Sequence, residues 1–381
     1  PYLDRVRLLM EVSNRLDCMV LLVGRKDVNI DIDGFNRFQI VEVGFRRGWR
    51  PWNMWKASQL AERLVNNMGM NVVHDTFGTL LPLFRRKNRY PRVLFLTSIF
   101  GPVGWRLQHV FNHLSKMKLL SNKSTATMFP NHWIEKRICM AADCVVLQAP
   151  GLTDRLLESI KVRRPRIQIL PNNVDTDFWC PSESKPRRTI QRDGCRFIFV
   201  GGIHYSRGIF ALIDVMRLLK QRKPASRLRI VGTFGPFSRR QVLDEIERHG
   251  LHTNIEFVAR TNRENLRELY RDSDLFLYQT INDGSPRVIL EALSCGLPVI
   301  ASHHPGIDVM DPNEEFIALT EFGDAEDIVR LIQDFQDEPA KWRNRAQQGR
   351  EAVVERFATA AVARQYIDLY CQLAVPNTSD H

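Results

Sequence analysis

The sequence predicts an α/β protein of two units, each a parallel sheet covered by helices. Three observations lead there. The chain has 381 residues, more than one hydrophobic core usually organises, so two domains of roughly 150–200 residues follow. Short apolar, β-rich runs alternate with amphipathic stretches nearly throughout, the pattern of buried parallel strands separated by helices. The alternation pauses at Pro181–Asp193 (PSESKPRRTIQRD), polar and aperiodic with two prolines, which reads as an exposed connection.

In the first half the strand candidates are Cys18–Val23, Phe38–Val43, Asn71–His74, Val93–Thr97, Cys144–Leu147 and Ile167–Leu170. The second half restarts with Phe197–Val200, Leu228–Val231, Ile255–Val258, Leu275–Tyr278 and Pro298–Ala301. The chain opens on a helix-like segment, PYLDRVRLLMEV, where a complete nucleotide-binding α/β unit would open on a strand and a glycine-rich turn; a first strand is therefore missing here or supplied differently. No solenoid repeat or low-complexity tract is visible, and Val375–His381 reads as a frayed tail.

Hydrophobic residues make up 44% and charged residues 25% of the chain, ordinary for a globular protein. No apolar run approaches the roughly 20 residues of a spanning helix, and no signal-peptide pattern is seen, so the expectation is a cytoplasmic protein. Seven scattered cysteines with no CxxC spacing fit a reducing compartment; Cys139 and Cys144, a close pair, read as small buried hydrophobes. Charge is uneven. Residues 1–175 carry 27 Lys+Arg against 14 Asp+Glu, while the remainder is nearly balanced, so the first half favours anionic partners. No helix-turn-helix, zinc-finger or RNP pattern accompanies that charge, and nucleic acid is not expected. Nor does any Asp/His cluster of ligand spacing appear, so no metal is expected.

The stretch LFLYQTINDGSPRVILEALSCGLPVIAS, Leu275–Ser302, reads as strand, Gly-Ser-Pro turn, helix beginning near Pro286, Gly-Leu-Pro turn, strand. Asp283 lies in the loop at the carboxyl end of a strand and Glu291 within the following helix, so both can face the crevice where α/β sheets bind ligands. The free N–H groups of that helix N-terminus make it an anion site. Pro286, in the first turn, costs no hydrogen bond.

DGSPRVILEALSCGLPV resembles the donor-site signature E-G-F-G-x-x-x-x-E-A-x-x-x-G-x-P-V of the retaining glycosyltransferases of family 4, with Gly284, Glu291, Ala292, Gly296, Pro298 and Val299 matching. The resemblance implies the GT-B fold, two Rossmann-like domains facing a central cleft: an acceptor-side domain over 1–176, a nucleotide-sugar donor domain over 177–356, and a C-terminal helix over 357–381 crossing back. It implies that Glu291 holds the ribose hydroxyls of a nucleotide diphosphate sugar, that N–H groups from Ser285 onward, with Gly284, Arg287 and Val288, line the diphosphate and sugar, and that Asp283, one methylene shorter than the usual Glu, acts on the sugar.

Three further runs agree. RFIFVGGIHYSRGIFALIDVMRLL, Arg196–Leu219, resembles the family's strand–G-R-L-x-x-x-K-G–helix element, whose two cations clamp the donor diphosphate. Gly201 opens it, and Arg207 before Gly208 fits the second cation, able to bind phosphate oxygens in a fork. Gly202 occupies the first cation's place, and His204 is the basic residue at hand to compensate. LPNNVDTDFW, Leu170–Trp179, resembles the P-N-G-V-D-x-x-x-F connection that closes the first domain. LRIVGTFGP, with Gly232, and IEFVARTNRENLRELYRDSDLFLY follow the family's order. Arg260 lies along the nucleobase or is a plain surface arginine.

In the first half the likeness thins. His74 ends a strand where the family often has a histidine near the sugars, so it is a candidate catalytic residue beside Asp283 and Arg207; a structural histidine is the other reading. Thr97-Ser98 stands where many members have histidine. FRRGWRPWNMWKASQLAERL places Trp49, Trp52 and Trp55 at three-residue spacing among Arg46, Arg47, Arg50 and Lys56. That is the composition of a segment at an anionic membrane surface or on the acceptor side, and equally of tryptophans packed in a core.

Together these imply transfer of a hexose-type unit from a nucleotide diphosphate sugar to a glycan or lipid-linked acceptor, with retention and with no cofactor beyond the co-substrate. The expected location is cytoplasmic, peripheral on the inner face of a membrane if the tryptophans touch lipid. A degenerate binding protein, suggested by Asp283, Gly202 and Ser98, and a sugar phosphorylase of the same fold are the rivals.

Overall fold

The structure is a computed structural model that describes residues 2–13, 19–23, 38–42, 50–75, 80–90, 94–99, 128–160, 166–183, 194–235, 238–281 and 283–374. It divides into two compact units, Pro1–Pro171 with Thr359–His381, and Asn172–Ala358. Residues 172–176 and 357–358, read above as lying outside the second unit, belong to it. They are tied there by backbone pairing, since the Val174 N–H donates to the Phe357 carbonyl at 2.9 Å.

In the first unit, β1 (Met19–Val23) and β2 (Phe38–Glu42) pair in parallel. A separate four-stranded parallel sheet runs in the order β3 (Val72–Asp75), β4 (Leu94–Ile99), β5 (Cys144–Leu147), β6 (Arg166–Ile169). Every residue of β5 is buried, as expected for a central parallel strand covered on both faces. The helices are α1 (Tyr2–Ser13), α2 (Arg50–Met68), α3 (Leu81–Phe84), α4 (Met128–Ala141) and α5 (Thr153–Ile160). Cys139 and Cys144 are buried free thiols, as their spacing suggested.

The second unit holds a six-stranded parallel sheet of β7 (Arg196–Val200), β8 (Arg227–Val231), β9 (Ile255–Val258), β10 (Leu275–Tyr278), β11 (Val299–Ser302) and β12 (Ile317–Thr320), in the order β12-β11-β10-β7-β8-β9. Strand β12 is absent from the sequence-based reading; its four residues give too short an apolar run to separate from a loop. All residues of β10 and β11 are buried. Covering helices are α6 (Ile209–Arg222), α7 (Ser238–Arg248), α8 (Arg263–Arg271), α9 (Arg287–Ser294), α10 (Pro305–Met310), α11 (Ala325–Asp337) and α12 (Pro339–Arg356). Their starts follow capping chemistry: Asn262 accepts from the Asn265 N–H at α8, and Asp324 from the Asp327 N–H at α11.

The chain then returns to the first unit as α13 (Thr359–Ala374). Helices α1 and α13 pack together, and Leu8, Val12, Val362 and Tyr366 share one apolar cluster with Leu96 and Val146 of the sheet. No helix among the described residues is long and apolar enough to cross a membrane.

The strand order of the second unit locates a crevice. From β7 the chain works outward to β8 and β9, then comes back to place β10 on the other side of β7. The loops after β7 and β10 therefore leave the sheet in opposite directions and open a gap at the strands' carboxyl ends, where open α/β sheets bind ligands.

Candidate active site

The loop after β7 supplies the cation. Arg207 ends a short 3-10 turn, Tyr205–Arg207, and the next residue, Gly208, has φ +66°. Glycine is demanded there twice over: the left-handed backbone disfavours a Cβ, and a Cβ would lie 2.2 Å from the Gln279 Cβ just beyond β10. This close approach brings Arg207 to the end of β10. A second approach fixes the loop's start, since a Cβ on Gly232, after β8, would fall 1.9 Å from the Gly201 carbonyl oxygen.

The loop after β10 supplies the acid. Arg207 Nη1 donates to Asp283 Oδ2 at 2.7 Å, and the Tyr278 hydroxyl donates to the same oxygen at 2.9 Å. Arg207 also donates to the Tyr278 hydroxyl and, at 3.4 Å, to Thr280 Oγ1. Side-chain exposures of 30% for Arg207 and 22% for Asp283 leave the pair reachable from solvent. Burial works to raise the Asp283 pKa, but the charge and hydrogen bond of Arg207 outweigh it and hold the carboxyl below the usual carboxylate range. Burial lowers the Arg207 pKa, yet Tyr278 and Asp283 raise it further, so both partners are ionised. Tyr278 is pushed well above its ordinary value by burial and by Asp283, which keeps its hydroxyl a donor.

Behind the pair the frame is polar. Ser302, ending β11, accepts from the Thr280 N–H and donates to the Thr280 carbonyl, both at 2.8 Å. The Gly306 N–H at the start of α10 donates to the Asp283 carbonyl at 3.0 Å and to His304 Nδ1 at 3.1 Å. His304 is buried against Tyr278, ring centroids 6.0 Å apart, and burial lowers its pKa to about 4.

Pro286 caps α9 with no side-chain bond, and the positive end of that helix's dipole favours an anion. Glu291 is 3% exposed and accepts from the Tyr270 hydroxyl at 3.1 Å. Burial first, then the Glu291 charge, raise Tyr270 well above its usual pKa. Ser285 is buried too: its hydroxyl oxygen accepts from the Asn172 N–H at 3.1 Å and its carbonyl from Asn172 Nδ2 at 2.6 Å. The LPNNVDTDFW run is thereby a strut for the loop, itself clamped by Arg263, whose guanidinium lies 4.3 Å from the Phe178 ring centroid and 3.4 Å from Asp175.

The sheet thus brings Gly201, Gly202, Arg207, Gly232, Asp283, Gly284 and Ser285 to the carboxyl ends of neighbouring parallel strands, with Arg287, Val288 and Glu291 on the helix that follows. Val288 packs partly buried against the core. Arg260 follows β9 on an exposed stretch. In the first unit, His74 Nδ1 lies 2.8 Å from the Tyr370 hydroxyl, and its ring packs near Tyr366, contacts that suit the structural histidine. Trp52 and Trp55 are 39% and 50% exposed on α2, with ring centroids 5.1 Å apart, rather than in a core. Arg50 opens that helix; Arg46, Arg47 and Trp49 lie outside the described residues. No group of His, Cys, Asp and Glu among the described residues could hold a metal ion.

The sequence reading missed Tyr278, Tyr270 and His304. The signals were a tyrosine closing the buried strand LFLY, whose hydroxyl must find a partner, and a histidine directly before a Pro-Gly helix start.

Comparison with known proteins bears on the family and the fold. The family model "Glycosyl transferases group 1" matches residues 182–352. Alpha-maltose-1-phosphate synthase of Mycolicibacterium smegmatis is 24% identical over 260 residues, 62% of this chain and 65% of its own. D-inositol 3-phosphate glycosyltransferase of Streptosporangium roseum is 23% identical over 290 residues, 71% of this chain and 66% of its own. The chain thus spans slightly under two thirds of these relatives. Among solved structures, sucrose-phosphate synthase from Thermosynechococcus elongatus superposes with a TM-score of 0.76 at 21% identity, covering 97% of this chain and 92% of that one. HepE from Anabaena, in complex with UDP and glucose, does so with a TM-score of 0.71 at 14% identity, covering 97% and 95%. Residues 182–352 are a domain of the glycosyl transferases group 1 family, carried on a chain of the GT-B fold.

Proposed function

We propose that the protein is a glycosyltransferase that moves a hexose-type unit from a nucleotide diphosphate sugar to a glycan or lipid-linked acceptor with retention of configuration. The observation that carries the reading is the Arg207–Asp283–Tyr278 cluster at the switch point of the second sheet, beside the uncapped N-terminus of α9. In this reading the diphosphate leaves with charge growing on its oxygens, and Arg207 with the first N–H groups of α9 stabilises it. Asp283 orients the sugar hydroxyls while Arg207 keeps it ionised, and Glu291 at the floor of the helix receives the ribose. The solved complex of HepE with UDP and glucose is consistent with such a donor. No metal is invoked.

A differential scanning screen of the purified chain against UDP-glucose, GDP-mannose and ADP-glucose tests this, followed by donor consumption with the best binder. One donor should raise the melting temperature and be consumed. Stabilisation by none, with no consumption, would favour the degenerate binding protein. Sugar release that needs inorganic phosphate and no nucleotide would identify a phosphorylase.

A membrane-facing acceptor side is supported by the exposed Trp52–Trp55 pair on α2 and the basic excess of residues 1–175. Sedimentation with phosphatidylserine vesicles should pull down the wild type and spare a Trp52→Ala/Trp55→Ala variant; equal pelleting of the two refutes it.

A further inference from the structure

We propose that His204 is a proton-gated ligand of the donor diphosphate, taking the place of the cation that Gly202 lacks; this rests on the donor-site reading above. The geometry carries it. A Cβ built on Gly202 would lie 2.9 Å from His204 Nε2 and 3.0 Å from its Cδ2, so the imidazole edge fills the space into which a side chain at 202 would grow. Only Ile203 separates them in sequence, and the ring folds back over the glycine.

The ring is held there. His204 Nδ1 lies 3.0 Å from Ser206 Oγ, and with the hydroxyl donating, Nε2 carries the ring's proton. Nε2 makes no further hydrogen bond among the described residues. The backbone beneath is pegged on both sides: the Ile203 N–H donates to the Thr233 carbonyl at 2.9 Å, the Gly235 N–H to the Ile203 carbonyl at 3.0 Å, and the Arg207 N–H to the His204 carbonyl at 3.0 Å. His204, Arg207 and the start of α6, which has no side-chain cap, thus belong to one rigid loop. That loop offers an anion one side-chain cation, one imidazole and a helix terminus.

The charged surroundings decide how the imidazole behaves. Burial first, then the positive charge of Arg207, lower its pKa, so the free protein holds it neutral near pH 7. Arg207 shares its loop, Asp283 on the loop after β10 is already bonded to Arg207, and Gly232–Gly235 after β8 carry no titratable side chain. A bound diphosphate adds negative charge beside the ring and raises its pKa, so binding takes up a proton. The sign follows from linkage: affinity is greatest where His204 is protonated and falls as pH rises through the pKa of the bound form.

The experiment is calorimetric titration with UDP-glucose, GDP-mannose and ADP-glucose at about pH 5.5 and about pH 8, on either side of the ordinary imidazole value, in buffers of different ionisation enthalpy. The diphosphate of a nucleotide sugar keeps its charge across this range, so a pH effect belongs to the protein. Wild type should bind its donor about fivefold or more tightly at the acid end, with proton uptake. His204→Ala and His204→Gln should be weak at both pH values and take up no proton. Gly202→Arg/His204→Ala should bind tightly at both, because the arginine enters the vacated space and does not titrate; Gly202 is not in the left-handed region, so a side chain is tolerated there. Wild-type affinity that does not change with pH, or a His204→Ala variant that keeps the wild-type profile, would overturn the proposal while leaving the donor site standing, provided Arg207→Ala still loses affinity. Absence of binding by the wild type to all three donors would overturn both readings together.

Discussion

Arg207 and Asp283, 76 residues apart in the chain, meet at 2.7 Å across the switch point between β7 and β10, and both share the Tyr278 hydroxyl. Two loops that leave the sheet in opposite directions are tied by one ion pair. Arg207→Ala leaves the Asp283 carboxylate without its cation and should cost about 2 kcal/mol of stability at neutral pH. Because the folded Asp283 pKa is depressed, the difference between wild type and variant should be full above the unfolded carboxylate value of about 4 and shrink as pH falls through the lower folded value. Urea midpoints at several pH values check it; a difference that grows on acidification contradicts it.

Gly208 is the hinge that permits this meeting. Gly208→Ala adds a left-handed alanine and a Cβ 2.2 Å from Gln279 Cβ, for a combined loss of about 2–4 kcal/mol. Gly323 has φ +89° with nothing within 4 Å of a built Cβ, so Gly323→Ala should cost only about 1 kcal/mol. Equal losses in thermal unfolding would mean that the contact with Gln279 does not constrain the loop.

Glu291 has a structural partner as well as a proposed ligand. Glu291→Ala leaves the buried Tyr270 hydroxyl with the longer bond, 3.4 Å, to the Val288 carbonyl and should cost about 1–3 kcal/mol. Glu291→Gln keeps an acceptor for it and should stay close to wild-type stability while losing donor affinity. A Glu291→Gln protein that retains wild-type transfer rates would remove Glu291 from the site.

His304 should make stability acid-sensitive. Its folded pKa, lowered to about 4 by burial, lies below the ordinary histidine value of about 6.5, so the unfolded chain binds the extra proton and stability falls as pH drops from about 6.5 towards about 4, by up to about 3 kcal/mol. His304→Asn keeps an acceptor for the Gly306 N–H at the α10 cap and cannot titrate. It should flatten that part of the profile; an unchanged slope would assign the acid loss elsewhere.

Much of this was legible in the residues. Strands β7 to β11 are apolar runs between turn residues, and the Gly-Ser-Pro turn with a following helix announced both the crevice loop and an anion-ready helix start. What was not legible depends on long-range pairing. Nothing in either local stretch tells that Arg207 bonds Asp283, because strand order alone makes β7 and β10 neighbours. Glu291 reads from the sequence as facing the crevice, but the bond it accepts from Tyr270, on a different helix, cannot be read there. That α13 places the Tyr370 hydroxyl beside His74 of β3 is likewise absent from the local sequence.

The central claim is that the second unit holds a nucleotide-sugar site built on Arg207. Calorimetric titration of the best donor into wild type and Arg207→Ala at pH near 7 tests it most directly. The account predicts that the substitution weakens binding about tenfold or more, the scale of one lost charge-assisted phosphate contact. Equal affinity in the two proteins would place the donor elsewhere and contradict it.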